Sequence, residues 1–408
     1  MIFNHISLVH VYLFNKKENK NKLSVGRLAL KDRTIFFEYS PEFLKTNFEL
    51  SPFKLPRQSG VMTSQEFFFD GLFGVFNDSL PDGWGRLLLD RKLMKLGLNP
   101  TSLSALDRLC YVGKSGMGAL AYEPEIENES LANTSQDWDE LAEEIRVFQE
   151  EDDDRFVDEL LILNGSSAGA RPKILIQQDQ ENWIIKFRSS GDPKSIGPIE
   201  YAYHLMAIES GLNVPKAKLF PAKKGPGYFG VQRFDLVNGQ RFHMHTMSGL
   251  LHVDYRVPSL DYEQILRATF WLTKDVRESE KQFRVAVFNI LSHNRDDHAK
   301  NFSFLMNEES VWSVSPSYDL TFSAGPYGEH CSTVMGEGKR PQKNHLLKLA
   351  EIAGIKKPKA LEIMDEVRAA VSQWEKFADK AGVLLSSQKM IKTALTRIEG
   401  DFKSEQPR

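Results

Sequence analysis

One short stretch of the chain carries its densest set of chemically capable side chains. The sequence HNRDDHAKNFSF at 293–304 places two acids, a histidine, a lysine and an asparagine within the six residues from Asp296 to Asn301. Two carboxylates and an imidazole are able to bind a metal ion or to move protons. The same residue types also occur at the polar ends of helices, so this segment alone leaves both interpretations open.

The preceding part of the chain offers, in order, the first parts that phosphoryl transfer needs. That reaction requires a backbone cradle for phosphates, a lysine, a carboxylate that accepts a hydroxyl proton, and oxygen ligands for magnesium. The small-residue stretch Gly165–Ala170 is a candidate cradle, and Lys186 follows in the strand pattern WIIKF. Glu200 comes next on a predicted helix. Its order alone makes it a candidate partner for Lys186, with Asp192 or a loop group as alternatives.

Three further side chains have the spacing of a protein-kinase catalytic loop. Asp296 and Asn301 are separated as in D-x-x-x-x-N, and Asn294-Arg295-Asp296 stands where a protein kinase has H-R-D. Asp319 lies in SYDLTFS, 18 residues beyond Asn301, where D-F-G would be expected. Together these elements predict ATP-dependent phosphoryl transfer. A small-molecule phosphotransferase can share this spacing, and an inactive scaffold or transcriptional partner can keep the fold, so both remain alternatives.

Longer motifs make the sequence resemble the HipA family of serine/threonine kinases, the toxins of bacterial toxin–antitoxin pairs. The motifs are FGVFNDSLPDGWGR (73–86), SSAGARPK (166–173), IIKF (184–187), GLNVPKA (211–217), QRFD (232–235), DDHAKNFS (296–303) and PSYDLTFSA (316–324). The resemblance implies an α/β (α+β) fold in two lobes, as in HipA and protein kinases, with ATP in the cleft between them. We expect a β-rich N-terminal subdomain at 1–125, an ATP-binding lobe at 126–235 and a helical catalytic lobe at 236–408.

The resemblance also implies roles for individual residues. Asp296 corresponds to the catalytic carboxylate, Asn301 and Asp319 to the magnesium ligands, and Lys186 to the phosphate-binding lysine. His298 would either contact a nucleotide phosphate or hold its loop through a structural hydrogen bond. The cofactors implied are therefore ATP and Mg²⁺.

Two main-chain segments complete the implied nucleotide site. The backbone at Gln232 and Phe234 corresponds to the hinge that meets adenine. The loop that would hold the ATP phosphates consists of Ser166, Ser167, Ala168, Gly169 and Ala170. The family autophosphorylates a loop serine, which here corresponds to Ser166 or its neighbour Ser167. A phosphoserine in this loop would repel the nucleotide and silence the kinase.

The resemblance further implies partners. These are a HipB-like antitoxin with a DNA-binding helix-turn-helix and a protein substrate, for which a component of translation is the first hypothesis. The biological output would be growth inhibition and persistence. The chain itself displays no helix-turn-helix, so we expect DNA contact only through the antitoxin.

Composition is consistent with a soluble globular protein of two or three domains. The chain has 408 residues, 41% of them hydrophobic and 26% charged, and a net charge of -3, which gives no reason to expect direct nucleic-acid binding. Its two cysteines, Cys110 and Cys331, argue against a disulfide scaffold or a cysteine-rich zinc site. No apolar run is long enough to span a membrane, and the N-terminus reads as a strand rather than a signal peptide. We therefore expect a cytoplasmic protein without a membrane partner.

Local patterns predict the elements that must position these residues. ILIQQ (174–178) and WIIKF (183–187) are predicted strands joined by the turn DQEN. Helical periodicity extends over 259–292, 342–352, 358–383 and 387–402. The histidines of HMHTM (243–247) and His252 are interpreted as polar packing, with a metal site as the alternative.

Overall fold

The chain forms two compact units, each built from several segments of sequence. The structure is a computed structural model that describes residues 5–14, 22–64, 67–126, 137–151, 153–165 and 169–403. Unit 1 comprises Met1–Asp192, Gly230–His252 and Leu305–Val311, and unit 2 comprises Pro193–Phe229, Val253–Phe304 and Trp312–Arg408. The predicted mixed α/β fold is confirmed. The division into three ranges at 125 and 235 remains a prediction.

The strands lie mainly in the first 250 residues. Their bounds are β1 Leu8–Phe14, β2 Lys22–Lys31, β3 Thr34–Tyr39, β4 Val61–Thr63, β5 Leu120–Glu123, β6 Lys173–Gln178, β7 Glu181–Lys186, β8 Ala217–Phe220, β9 Tyr228–Gln232, β10 Leu236–Val237, β11 Gln240–Arg241, β12 His243–Thr246, β13 Leu260–Asp261, β14 Ser303–Met306, β15 Trp312–Val314 and β16 Ser332–Thr333.

The helices become longer and more frequent after residue 260. Their bounds are α1 Pro41–Leu44, α2 Gly74–Asn77, α3 Gly83–Lys95, α4 Ala105–Val112, α5 Trp138–Glu150, α6 Val157–Asn164, α7 Ile196–Glu209, α8 Met247–Leu251, α9 Tyr262–Thr273, α10 Val276–Leu291, α11 Lys343–Ile352, α12 Lys357–Val371, α13 Trp374–Ala381 and α14 Leu385–Lys403.

Unit 1 contains an antiparallel five-stranded sheet in the order β4-β3-β2-β1-β5. Strand β1 alternates buried and more exposed side chains, and Val9, Val11 and Leu13 are at most 3% exposed. This period-two pattern buries one face of the strand against the core. The aromatic ring of Phe37 on β3 lies 4.9 Å from that of Phe76 on α2, so the first helices cover this face of the sheet.

The predicted hairpin between residues 174 and 187 is confirmed. Strands β6 and β7 pair in antiparallel register from Lys173 opposite Lys186 to Gln178 opposite Glu181. The two intervening residues, Asp179 and Gln180, have φ values of 53° and 61°. Two consecutive left-handed residues are the signature of the tight turn that matches the strand twist. The hairpin therefore fixes the position of Lys186 within unit 1.

Of the four helical stretches predicted in unit 2, two are continuous helices, α11 and α14, and the other two are divided in the structure. The 259–292 stretch becomes α9 and α10, because Lys274 adopts a left-handed φ of 56° and the Asp275 side chain then caps α10. The 358–383 stretch becomes α12 and α13, which are separated at Ser372 and Gln373. Periodicity continues across both breaks because each pair of helices buries side chains in the same core.

Helix α10 of unit 2 has a buried apolar face and a charged face. Phe283 and Phe288 of α10 are fully buried, while the same helix carries charged residues on its other face. Within the described ranges, no helix combines the length and the apolar composition needed to cross a membrane.

Candidate active site

The catalytic-loop segment begins at the end of α10 and is fixed there by its own side chains. His293 has a left-handed φ of 58°, its Nδ1 lies 3.0 Å from Ser323 O, and its carbonyl accepts from the Ser323 N–H at 3.0 Å. Asn294 is buried, and its side-chain amide donates to Asn289 Oδ1 on α10 at 2.9 Å. These contacts set the direction in which the following residues leave the helix.

Asp296 and Asp297 are adjacent in sequence but have opposite surroundings. The Asp296 side chain is 58% exposed, and its Oδ1 lies 4.0 Å from both His298 Nε2 and Cys331 Sγ. Asp297 is fully buried. Neither contact of Asp296 is short enough for a strong hydrogen bond, so its carboxylate is available to accept the proton of a substrate hydroxyl.

The side chain of Asn301 turns back onto the main chain of Asp296. Residues Ala299–Asn301 form a single 3-10 turn, in which the Asn301 N–H donates to His298 O at 2.9 Å. The Asn301 Nδ2 donates to Asp296 O at 2.6 Å. The D-x-x-x-x-N spacing therefore closes a small loop, and the Asn301 amide oxygen is left as a potential magnesium ligand.

Asp319 lies on a neighbouring segment of unit 2 and has a left-handed φ of 52°. Such a conformation is uncommon for a residue other than glycine and recurs at functional sites. The preceding Tyr318 donates from its hydroxyl to Lys300 O at 2.6 Å, which ties this segment to the catalytic loop.

The donor set of unit 2 fits magnesium by its chemistry. The Asp319 carboxylate and the Asn301 amide are hard oxygen donors, which Mg²⁺ prefers. Across the described residues, no group of three or more His, Cys, Asp or Glu side chains is placed to hold a metal ion. Two protein ligands completed by nucleotide phosphates and water are the usual arrangement for Mg²⁺ in phosphotransferases.

The two interpretations of His298 can be compared with its surroundings. Its Nδ1 is buried and makes no hydrogen bond to any described residue, and its ring lies 5.5 Å from the ring of Tyr255. The structural hydrogen bond is therefore not made by Nδ1 within the described part of the chain. Contact of His298 with a nucleotide phosphate remains a prediction.

Cys331 is the other side chain near the Asp296 carboxylate. Burial, together with the negative charges of Asp296 and Asp297, raises the pKa of the Cys331 thiol to about 12. The thiol therefore stays protonated at neutral pH and is a poor nucleophile. Cys331 is therefore not a candidate base or nucleophile beside Asp296.

In unit 1, Lys186 lies at the end of β7 opposite Lys173 on β6. Lys173 is 5% exposed, and its Nζ occupies the space that a side chain on Gly169 would need. The described end of the phosphate loop is therefore in contact with a buried ammonium group. Lys173 is the last residue of SSAGARPK, but its burial could not be inferred from the motif, because lysines are rarely buried.

The described end of the phosphate loop is held by the motif FGVFNDSLPDGWGR. The Gly169 N–H donates to the Asp82 carboxylate, and the Trp84 N–H donates to Gly169 O at 3.1 Å. Gly83 has a φ of 42°, and a Cβ on it would lie 2.6 Å from Ala170 Cα. Only glycine permits this close approach, so the N-terminal part of the chain positions the loop.

The remaining residues of this loop lie outside the described part of the chain, and their contact with phosphate remains a prediction. These residues are Ser166, Ser167 and Ala168.

The two candidate partners of Lys186, Glu200 and Asp192, have different surroundings. Glu200 is buried on α7 in unit 2, whereas Lys186 belongs to unit 1, and their pairing remains a prediction. Asp192 binds the guanidinium group of Arg171 through three N–O contacts of 3.0 to 3.2 Å. This ion pair braces the chain on the carboxyl side of the phosphate loop.

Arg233 anchors the predicted hinge between Gln232 and Phe234. Its main-chain N–H donates to Asn182 O on β7 at 2.8 Å. Its guanidinium donates to the carboxylate of Asp235 at 2.6 and 3.0 Å, and Asp235 is fully buried. The ion pair fixes the main chain of the hinge, and the contact of that main chain with adenine remains a prediction.

The HMHTM histidines are polar packing, as predicted. His243 Nε2 lies 2.9 Å from Leu50 O, and His245 lies between Asp78 at 2.6 Å and Ser51 at 2.9 Å. The order Ser–His–Asp is that of a hydrolase triad. However, Ser51 is only 1% exposed, so a substrate has no access to its hydroxyl.

Sequence reasoning assigned no role to Asp297, Tyr262 or His330. The Asp297 carboxylate accepts from the Tyr262 hydroxyl at 2.8 Å and contacts His330 Nδ1 at 2.9 Å. The doubled acid of DDHAKN was the available signal. The partners lie 35 and 33 positions away, so no local pattern identified them.

Two family models match most of the chain. The HipA-like C-terminal domain matches residues 165–374, and the HipA N-terminal domain matches residues 20–123. A putative kinase of Haemophilus influenzae is 27% identical over 187 residues, which are 40% of this chain and 54% of that protein. The match thus spans about half the length of this curated relative.

One solved structure shows the same fold over nearly the whole chain. The complex of HipA, HipB and operator DNA from the Shewanella oneidensis MR-1 toxin–antitoxin system contains a chain that is 19% identical, with 97% coverage of both chains and a TM-score of 0.71. The proinflammatory kinase CtkA of Helicobacter pylori is 14% identical, covers 56% of this chain and 94% of its own, and has a TM-score of 0.36. With both of its domain models matched in order along the sequence, the chain belongs to the HipA family.

Proposed function

We propose that the protein is an ATP-dependent serine/threonine protein kinase and the toxin of a toxin–antitoxin pair. The observation that carries the proposal is the catalytic-loop geometry. The Asp296 carboxylate is exposed, and the Asn301 side-chain amide donates to the main-chain carbonyl of Asp296. Positioning and electrostatics supply most of the catalysis in phosphoryl transfer, and this loop provides the positioning.

Each residue has a defined task in the proposed reaction. Asp296 orients the serine or threonine hydroxyl and accepts its proton as the oxygen attacks the γ-phosphorus of ATP. Lys186 binds the phosphates, and Asn301 and Asp319 are the protein ligands of magnesium. Bound magnesium would neutralise the negative charge that develops on the transferred phosphoryl group.

We further propose that the kinase regulates itself through the phosphate loop. Phosphate on Ser166 or Ser167 would place a charge of about -1.5 to -2 where ATP phosphates must bind. The Gly169 N–H at the end of this loop donates to the Asp82 carboxylate, so a displaced loop would have to break that hydrogen bond. Mass spectrometry should find the phosphate after incubation with Mg²⁺-ATP and none in the Asp296→Ala variant.

The proposed partner is a HipB-like helix-turn-helix antitoxin, through which the protein would meet operator DNA. The support is the Shewanella complex, in which HipA occurs together with HipB and operator DNA. The proposed location is the cytoplasm. The proposed substrate is a protein of the translation apparatus, and the proposed outcome is growth inhibition with persistence.

The decisive experiment measures transfer of labelled γ-phosphate to the proteins of a cell extract. Wild type should label protein, and Asp296→Asn should reduce the rate by about 10²-fold or more, because the general base is lost. Asp365→Asn is the matched control, since the Asp365 side chain is 66% exposed on α12 and forms a surface ion pair with Arg368. Equal labelling by wild type and Asp296→Asn would show that the assignment is wrong.

The same experiment separates the alternatives. Label that appears only in small molecules would identify a small-molecule phosphotransferase. Absence of any Asp296-dependent transfer, combined with retained binding to an antitoxin, would identify an inactive scaffold.

A further inference from the structure

Asp297 differs from the other residues of the catalytic loop in being both fully buried and ionisable. Its Oδ2 accepts from the Tyr262 hydroxyl at 2.8 Å and lies 2.9 Å from His330 Nδ1. Its Oδ1 accepts from the Ser332 N–H at 3.2 Å, and its carbonyl accepts from the Ser332 hydroxyl at 2.6 Å. A buried carboxylate needs hydrogen-bond donors to offset its lost hydration, and Asp297 receives them from Tyr262, His330 and Ser332.

The donors to Asp297 come from two separate elements of unit 2. Tyr262 is the first residue of α9, and its hydroxyl also accepts from Asn289 Nδ2 at 3.0 Å. His330 and Ser332 belong to the segment from Gly325 to Arg340, which we call the clasp segment. Asp297 therefore joins the catalytic loop to α9 and to the clasp segment at one point.

The residue on the other side of Asp296 holds the same segment. The Arg295 guanidinium donates to Gly328 O and, at 3.0 Å, to Lys339 O, near the two ends of the clasp segment. The Arg295 carbonyl accepts from the Cys331 N–H at 3.0 Å. The neighbours of Asp296 on both sides thus bind the clasp segment, while Asp296 itself remains exposed.

The clasp segment is also braced internally. The His330 N–H donates to Gly338 O at 2.9 Å, and the Glu337 carboxylate accepts from the N–H groups of Lys339 and Arg340 at 2.7 and 2.9 Å. Its tip, Tyr327, is fully exposed and has a left-handed φ of 54°. A segment this well bonded behaves as one body, and Asp297 and Arg295 fix that body to the catalytic loop.

We propose that Asp297 is a positioning residue for phosphoryl transfer. Through Tyr262 and His330 it holds the catalytic loop and the clasp segment in one arrangement, and this arrangement keeps the Asp296 carboxylate aimed at the acceptor hydroxyl. The proposal rests on the proposed kinase function. It assigns to Asp297 no contact with ATP, magnesium or the phosphoryl group.

The test uses substitutions that remove single donors from Asp297. Tyr262→Phe removes one hydroxyl and keeps the ring. His330→Leu removes the other side-chain donor, whereas His330→Asn retains an N–H that can take the place of Nδ1–H. Tyr39→Phe is the matched control, because it deletes a buried hydroxyl that donates to Leu55 O at 3.0 Å in unit 1.

We expect Tyr262→Phe and His330→Leu each to lower kcat roughly 10-fold or more, because the base is displaced from its working geometry. Mg²⁺-ATP affinity and the KM for ATP should stay within about 2-fold, since no nucleotide-binding group is changed. His330→Asn should recover most of the kcat, and Tyr39→Phe should leave it unchanged. A purely structural role would move ATP binding and kcat together and would not distinguish asparagine from leucine at position 330.

A second measurement does not depend on activity. Hydrogen–deuterium exchange at the Cys331 and Ser332 amides should accelerate in Tyr262→Phe and His330→Leu but not in Tyr39→Phe. Wild-type kcat and wild-type exchange in both variants would overturn the proposal. If wild-type protein shows no Asp296-dependent transfer, the proposed function is wrong and the positioning role is wrong with it. In that case the exchange at the Cys331 and Ser332 amides would still respond to Tyr262→Phe and His330→Leu, which would show that the Asp297 contacts exist although the kinase activity does not.

Discussion

The contact between Gly83 and the phosphate loop leads to a prediction for which another glycine of the chain provides the control variant. Replacing Gly83 by alanine adds one methyl group at a position with a φ of 42°. The new Cβ would lie 2.6 Å from Ala170 Cα and 2.8 Å from Gly169 O. Gly97 is the matched control, because it has a φ of 73° and nothing within 4 Å of an added Cβ.

The expected magnitudes separate the two variants. Both substitutions place an L-residue in the left-handed region, which lowers the free energy of unfolding by about 1–2 kcal/mol. Only Gly83→Ala adds an overlap with backbone atoms, for which overpacking adds about 1–3 kcal/mol. Ordinary contact requires the loop end to move by about 0.8 Å, and a displacement of that order in a positioned site can lower function by about 10²-fold.

The assay is calorimetric titration of Mg²⁺-ATP, with urea unfolding of the same samples. Gly83→Ala should bind Mg²⁺-ATP at least about 10-fold more weakly than wild type, because the Gly169 amide moves with the loop. Gly97→Ala should bind like wild type and lose only stability. If both variants bind Mg²⁺-ATP equally well, the contact does not position the loop and the reasoning fails.

Three further predictions concern the hinge, a buried histidine and the magnesium ligands. Asp235→Ala should lower the free energy of unfolding by about 3–5 kcal/mol, because the Arg233 charge stays buried without its partner. A loss below about 1 kcal/mol in urea unfolding would contradict this prediction. Burial lowers the pKa of His243 to about 4. The unfolded chain therefore binds more protons than the folded one between pH 6.5 and pH 4. The contribution of the neutral, buried His243 to the free energy of unfolding is fully present above pH 6.5 and is lost as the pH falls below it. This histidine should remove roughly 2 kcal/mol between pH 7 and pH 5, and His243→Gln should flatten that dependence in urea titrations. Asp319→Ala and Asn301→Ala should raise the Mg²⁺ concentration needed for ATP binding by roughly 10- to 100-fold. The Asp319 substitution should have the larger effect, because it removes a charge as well as a ligand. Unchanged titrations in both variants would refute the metal role.

Local patterns in the sequence were sufficient for the elements that carry the site. The β6–β7 hairpin follows from two apolar runs and a short polar turn, and the structure places its ends at Lys173 and Lys186. The spacing of Asp296 and Asn301 predicted that both belong to one catalytic loop, and in the structure the Asn301 side chain donates to the main-chain carbonyl of Asp296. Both features depend on residues within about ten positions of each other, where periodicity and turn chemistry are informative.

Long-range contacts could not be predicted in this way. The anchoring of Gly169 by Asp82 spans 87 positions, and the pair between Asp297 and Tyr262 spans 35. Nothing in the composition near residue 82 specifies a contact with residue 169. The break between α9 and α10 at Lys274 is different, because a local signal for it was present in the sequence. The next residue, Asp275, is of a type that caps helices, although the spacing of apolar residues continues across the break.

The bond between Asp82 and Gly169 also has an evolutionary consequence. A carboxylate and an amide that bind each other across the two matched family domains should change together, since replacing either one removes this hydrogen bond from a half-buried pair. A relative that lacked the first domain would then need a substitute anchor for the same loop, supplied by a different segment or by a second protein. The two domains would thus be inherited as a pair rather than exchanged as independent modules, and paired substitutions at positions 82, 83 and 169 across the family are where that history should be recorded.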